Sequence, residues 1–247
     1  MKKVLKKLCL FAAVVVLIPI AIGCSSDDND VNENSKEQEQ YSKFMTPEME
    51  EAVKKLGMEV NKGANPPDVS GYYLIERIGV KSIVPSDPNI KGKVFNSSKT
   101  KLYDYDKAEL KISLLGYEVE SGTDNLGATS TAEGTFITGE GDKFSIFFEE
   151  EFDYDDGGPV VILLTILSGE LDRDESGEIK GIKNVRYAIL MKENNGRPEK
   201  ITNGTGRLFK DDYADVISKE KFETLVQNKT TGNKKAVSSL SLFNVWE

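Results

Sequence analysis

The sequence predicts a mainly β fold: an antiparallel up-and-down barrel of about eight strands, with a helix ahead of it and a short helix behind it. Three observations carry this. From Gly71 onward, apolar residues recur with period two, as in Glu109-Leu110-Lys111-Ile112-Ser113-Leu114 and in Val185, Tyr187, Ile189 and Met191. Turn signals such as Gly139-Glu140-Gly141-Asp142, Asp155-Asp156-Gly157-Gly158, Ser176-Gly177 and Asn194-Asn195-Gly196 separate the periodic segments. Finally, Val160-Val161-Ile162-Leu163-Leu164-Thr165-Ile166-Leu167 is apolar on both faces, so that strand is covered inside and outside.

Residues 1–23 form an export signal: Lys2, Lys3, Lys6 and Lys7, then an apolar run from Leu8 to Ile22 that is short for a bilayer span. Residues 24–44 are polar, rich in Asp, Glu, Asn, Ser and Gln, and predict a disordered acidic tether. One domain follows over 45–247. Its first element is a helix at 46–62. Thr46 is the N-cap, Pro47 suits the first helical position, and Glu48, Glu50 and Glu51 favour the positive end of the dipole. Met49, Val53, Leu56 and Val60 repeat at helical spacing, and Gly63 ends it. The strands then read 71–80, 99–105, 108–119, 128–138, 143–153, 160–171, 179–193 and 201–209. Short turns make neighbours antiparallel, and closure into a barrel removes the exposed edges. A two-sheet sandwich fits the same pattern of short strands. Ser218 caps a second helix that presents Phe222, Leu225 and Val226 to the sheet, and a last strand is expected near 240–246.

Cys24 ends the signal. Ala21-Ile22-Gly23-Cys24 resembles a lipobox, in which the cysteine is acylated and the peptide before it removed. Two or three acyl chains hold firmly to a membrane, because each buried methylene contributes about 0.8 kcal/mol. The run Ser25-Ser26-Asp27-Asp28-Asn29-Asp30 resembles the surface-export signal of lipoproteins in the Bacteroidetes group. The expected location is therefore the outer membrane, lipid-anchored and displayed on the cell surface, with a periplasm-facing anchor as the alternative.

Composition excludes several chemistries. The formal charge is −9, and −13 once residues 1–23 are gone, which repels phosphate backbones and argues against a nucleic-acid partner. There is no histidine, and the two cysteines are Cys9, within the signal, and Cys24. Histidine-based triads, thiol nucleophiles, disulfides and cysteine zinc sites therefore drop out of the mature domain.

A further resemblance lies in the meander followed by a helix and a short strand, which is similar to the lipocalin or calycin arrangement. Pro66-Pro67-Asp68-Val69-Ser70-Gly71-Tyr72-Tyr73 looks like the opening of lipocalin-like lipoproteins from Bacteroidetes. Gly181-Ile182-Lys183-Asn184-Val185-Arg186-Tyr187-Ala188 and Gly206-Arg207-Leu208-Phe209 look like their later strands. The lipocalin signature has tryptophan after its first glycine, where this chain has Tyr72-Tyr73. The resemblance implies a barrel whose mouth takes a ligand.

Strand aromatics are the candidate lining of that mouth: Tyr73, Tyr117, Phe136 and Tyr187 can stack on an apolar or glycan ligand. Asp172-Arg173-Asp174-Glu175-Ser176-Gly177 matches the first half of a calcium loop, making Asp172, Asp174 and Ser176 a candidate calcium site, although Lys183 stands where a bidentate glutamate is required. Glu149, Glu150, Glu151, Asp153, Asp155 and Asp156 form an acidic cluster, with Glu149 and Glu151 on one strand face. The sequence thus predicts a non-enzymatic lipoprotein that binds a small apolar or glycan ligand and needs no cofactor. A structural subunit of an envelope complex is the alternative, and a carboxylate-based hydrolase is a third reading.

Overall fold

The computed structural model describes residues 28–119, 126–152, 159–197 and 201–224. Cys24, the signal before it, Leu225, Val226 and the strand expected near 240–246 lie outside these residues. Two helices, α1 (Asp28–Phe44) and α2 (Pro47–Leu56), precede nine strands: β1 (Ala64–Asn65), β2 (Gly71–Ser82), β3 (Val94–Asp106), β4 (Lys111–Val119), β5 (Leu126–Glu140), β6 (Lys143–Phe152), β7 (Val161–Arg173), β8 (Ile179–Glu193) and β9 (Gly206–Val216). A further helical turn starts at Lys219 and reaches the last described residue, Thr224.

The eight long strands form one antiparallel sheet that rejoins itself. Each pairs with its sequence neighbours, β5 with β6 included, and β2 pairs with β9 from Tyr73↔Val216 to Ser82↔Arg207. The fold is therefore mainly β and barrel-like. Pairing of the first and last long strands excludes two separate stacked sheets, because a sandwich leaves four edges and a ring of paired strands leaves none. The ninth strand, β1, is two residues that add in parallel to β5 at Ala64↔Gly139.

Two helices differ from expectation. Asp28–Phe44 is helix rather than tether. Its last turns find partners that a local reading of composition cannot foresee. Glu37 accepts from the Thr138 hydroxyl at 2.9 Å, Lys36 pairs with Glu109 at 2.7 Å, and Tyr41 meets Phe147 edge-on at 5.7 Å. Helix α2 starts as expected, with the Thr46 hydroxyl accepting from the Met49 amide, but it ends at Gly57 rather than Gly63. Gly57 takes the left-handed conformation (φ 76°), and the amides of Gly57 and Met58 close on the Val53 carbonyl. The earlier of two glycines that could end the helix does so.

Strand β9 starts at Gly206 rather than at the expected 201. The intervening chain folds as a loop, with the Asn203 side chain accepting from the Asn194 amide and the Thr205 hydroxyl donating to the Thr202 carbonyl. The Ser218 hydroxyl accepts from the Lys221 amide at 3.1 Å, as its capping role requires.

Strand β7 divides two cores. Val161, Leu163 and Leu167 belong to the cluster inside the ring, together with Tyr73, Ile75, Phe144, Ile146 and Phe148. Leu164 and Ile166 belong to an outer cluster, where α1 and α2 supply Tyr41, Met49, Ala52, Val53 and Leu56 and the link between them supplies Met45. The doubly apolar run is thus buried on both faces, as the sequence predicts.

Candidate functional site

Alternation along the strands settles which side chains face the interior. The inner series are Tyr73, Ile75, Arg77 on β2; Ile112, Leu114, Glu118 on β4; Phe144, Ile146, Phe148, Glu150 on β6; and Val185, Tyr187, Ile189 on β8. Each begins apolar, and three reach a charged residue toward the ring end where β2, β4 and β6 finish. There the polar groups meet. Arg77 Nη2 lies 2.9 Å from Glu118 Oε1, with both side chains 5% exposed. The Arg77 guanidinium also sits 5.9 Å from the Tyr187 ring centroid, and its Nε donates to the Asn96 carbonyl. Glu150 accepts from the Thr165 hydroxyl at 3.2 Å.

Burial dominates the electrostatics of this group. It pushes the Glu150 carboxyl up to about 7; the Thr165 hydrogen bond and the Arg77 charge oppose the shift, and the Glu118 charge adds to it. Burial likewise raises the pKa of the Tyr187 hydroxyl, with Glu150 adding to the effect. Glu118 Oε2 is buried and has no hydrogen-bond partner among the described residues. A buried acceptor left open costs about 1–3 kcal/mol, and more when charged. It is the one oxygen of this ion pair that a donor from elsewhere could satisfy.

The residues expected at the mouth divide evenly. Tyr73 and Tyr187 face inward. Tyr73 is sealed: its hydroxyl donates to the Val69 carbonyl at 2.9 Å, and burial raises its pKa. Tyr187 belongs to the polar group. Tyr117 and Phe136 do not line the interior. Tyr117 lies on the outer face, 5.1 Å from the Phe222 ring, and Phe136 stacks on Phe147 at 5.4 Å and on Phe44 at 6.1 Å beneath α1. The reason is register: Tyr117 adjoins inward Glu118, and Phe136 adjoins inward Ile137, so period two turns both outward.

The candidate calcium loop is folded as the β7–β8 turn. Asp174 Oδ1 accepts from the Ser176 amide, the Ser176 hydroxyl and the Glu178 amide, while Oδ2 takes Lys180 at 2.7 Å. Asp172 pairs with Lys183 at 2.6 Å and accepts from the Tyr213 hydroxyl at 3.1 Å. Lys180 holds the Asp174 carboxylate well below its usual range, and Lys183 lowers Asp172. Calcium would have to displace both lysines. Among the described residues, no group of three or more acidic side chains is arranged to hold a metal ion.

In the acidic cluster, Glu149 pairs with Lys192 on the outer face, on the same side as Glu151, while Glu150 between them points in. Asp153, Asp155 and Asp156 lie outside the described residues. Sequence reasoning thus named the cluster but missed its one inward member among the described residues, and it missed Arg77 and Glu118 altogether. The signal was present: continuing Phe144, Ile146, Phe148 by two residues reaches Glu150, and continuing Tyr73, Ile75 reaches Arg77.

No protein-family model matches this chain, and no curated protein or solved structure does.

Proposed function

We propose that this chain is a lipoprotein anchored through Cys24 in a bacterial outer membrane and displayed on the cell surface. Its lipocalin-like barrel holds a small apolar or glycan ligand at the loop end, without catalysing a reaction. The observation that carries this reading is the interior itself. The ring encloses an apolar wall, and into it are set a few polar groups: Arg77, Glu118, Glu150 and Tyr187. Ligand sites in barrels have this composition, largely apolar with a small number of placed polar groups. Glu118 Oε2 supplies an open acceptor. The anchor is supported by the lipobox-like Ala21-Ile22-Gly23-Cys24 and the short apolar run before it.

The test is native mass spectrometry of the full acylated protein extracted from membranes, followed by titration of the delipidated chain with a fluorescent fatty amine. A co-purifying small molecule, or saturable probe binding lost in Glu118→Gln, supports the reading. A bare acylated chain that takes no probe overturns it. In that case the fully buried inner residues Tyr73, Ile75, Leu102, Ile112, Phe144 and Phe148 favour the second reading, a filled barrel serving as a structural subunit of an envelope complex. The anchor has its own test: Cys24→Ala should move the protein from the membrane to the soluble fraction.

A further inference from the structure

After α2 the chain crosses the outer face of β6 and β7 before it reaches β1. Asn61 fastens it there. Its amide nitrogen Nδ2 donates to the Phe144 carbonyl at 3.0 Å and the Gly169 carbonyl at 3.3 Å, and its backbone amide donates to the Ser145 hydroxyl at 2.8 Å. Behind it, the Ser145 and Ser168 hydroxyls are 2.6 Å apart. The crossing chain borders a cleft of about 210 Å³, with Asn61 and Ser168 at its back and Glu59, Lys143, Glu170 and Arg186 around it.

Four charged side chains surround this cleft, Glu59 and Lys143 exposed and Glu170 and Arg186 half-buried. Two are cationic and two anionic, yet no ion pair within 4.0 Å joins any of the four to another described residue. Lys143 and Glu170 are even cross-strand partners in the β6–β7 ladder, a placement in which opposite charges ordinarily close on each other. Other charges do reach two of the four: Glu170 acts on Lys183, its cross-strand partner on β8, and Arg186 acts on Asp212.

We propose that this outer cleft is a binding site for a small zwitterion, the class of the free α-amino acids. The carboxylate is taken by Arg186 and Lys143, and the ammonium by Glu59 and Glu170. A simple anion meets two carboxylates there, and a simple cation meets two basic groups. A neutral sugar pairs with none of the four charges. Only a ligand carrying both signs close together satisfies all of them. The volume supports the same class, since it lies below the roughly 300–1,000 Å³ of sites for drug-sized ligands. This site lies on the outside of the wall, so it stands or falls independently of the ligand proposed for the interior.

The experiment uses the delipidated chain. The free L-amino acids are screened by thermal shift, and the best is titrated by calorimetry beside its N-acetyl and amide derivatives, with glucose and N-acetylglucosamine as neutral probes. The variants are Arg186→Gln and Glu170→Gln, neither of which breaks an ion pair, and their melting temperatures report that folding is intact. The expected result is saturable binding of a free amino acid, weakened tenfold or more by each variant and by removal of either ligand charge. The proposal is overturned if no amino acid saturates at millimolar concentration, if binding ignores the two variants, or if only the sugars bind.

Discussion

Glu150 on the inner face of the ring and Asp174 on an outer turn both accept hydrogen bonds, yet their acidities move in opposite directions. Glu150 accepts from the Thr165 hydroxyl, but loss of solvent outweighs that bond, so the carboxyl rises to about 7. Asp174 is open to water and collects Lys180, the Ser176 hydroxyl and backbone amides, so it falls below the ordinary range. Removal of water dominates at Glu150, and the hydrogen bond from Lys180 dominates at Asp174. The same wall of strands therefore carries Glu150, reluctant to ionise, and Asp174, held ionised.

The contrast between inside and outside can be attacked first at β7, where the largest effects are expected. Leu163 faces the interior and Leu164 the helices, and both are fully buried. Leu163→Asp and Leu164→Asp should each destabilise the fold by several kcal/mol, since each sets an unpaired charge among apolar side chains. Urea unfolding measures this. Tolerance of Leu164→Asp alone would mean that α1 and α2 do not seal the outer face.

Next in size is the buried ion pair. Arg77→Met leaves Glu118 charged and unpaired in the interior, which should cost about 3–5 kcal/mol. Adding Glu118→Gln to it should restore much of the loss, and a double-mutant cycle reads the coupling. If the two changes simply add, the pair is not the unit that the 2.9 Å contact indicates.

Acidity provides a smaller effect with a definite sign. The Glu150 carboxyl rises from its ordinary 4.5 to about 7 on folding, so between those values the folded chain holds a proton that the unfolded chain has lost. Its contribution is fully present below pH 4.5 and declines as pH rises to about 7, by on the order of 3 kcal/mol. Glu150→Gln should remove this slope from a series of melting curves. The outer acids act oppositely: the stabilisation from Asp172 and Asp174 is fully present above pH 3.8 and is lost as pH falls from there through their lowered folded-state values.

The smallest change is expected at the outer turn. Asp174→Asn should lower the melting temperature slightly at neutral pH and flatten the acid limb of that series, and adding calcium chloride at neutral pH to the unsubstituted chain should leave its melting temperature unchanged. A calcium-dependent rise would show that the ion displaces Lys180 and Lys183 after all.

Most of the ring is legible in the sequence because period two is a local property. The stretches from Lys143 and from Ile179 announce β6 and β8 within a residue of their ends. The doubly apolar run at β7 also signals helices outside the sheet. The site is harder to read. Tyr117 and Phe136 look like lining residues, and only the register of their neighbours shows that they face out. Arg77 and Glu118 lie far apart in the sequence and meet through strand pairing, which no short window of residues displays. Helix α1 escapes a local reading for the same reason. Its composition suits a tether, and its order comes from Thr138, Glu109 and Phe147, all far along the chain.

Under the proposed Cys24 anchor, that helix would also set how far the domain stands from a bilayer. A disordered segment over 24–44 would give a loose leash, with a typical span of roughly 25 Å and much slack. Instead α1 begins at Asp28, close behind the acylated Cys24 of the proposed anchor. The covalent reach between those two positions is about 14 Å at full extension. The helix is docked to the wall from Lys36 onward. Under the proposed anchor, clearance would be governed by a helix and a short link, and a molecule wider than that gap would reach the domain only from the side away from the lipid.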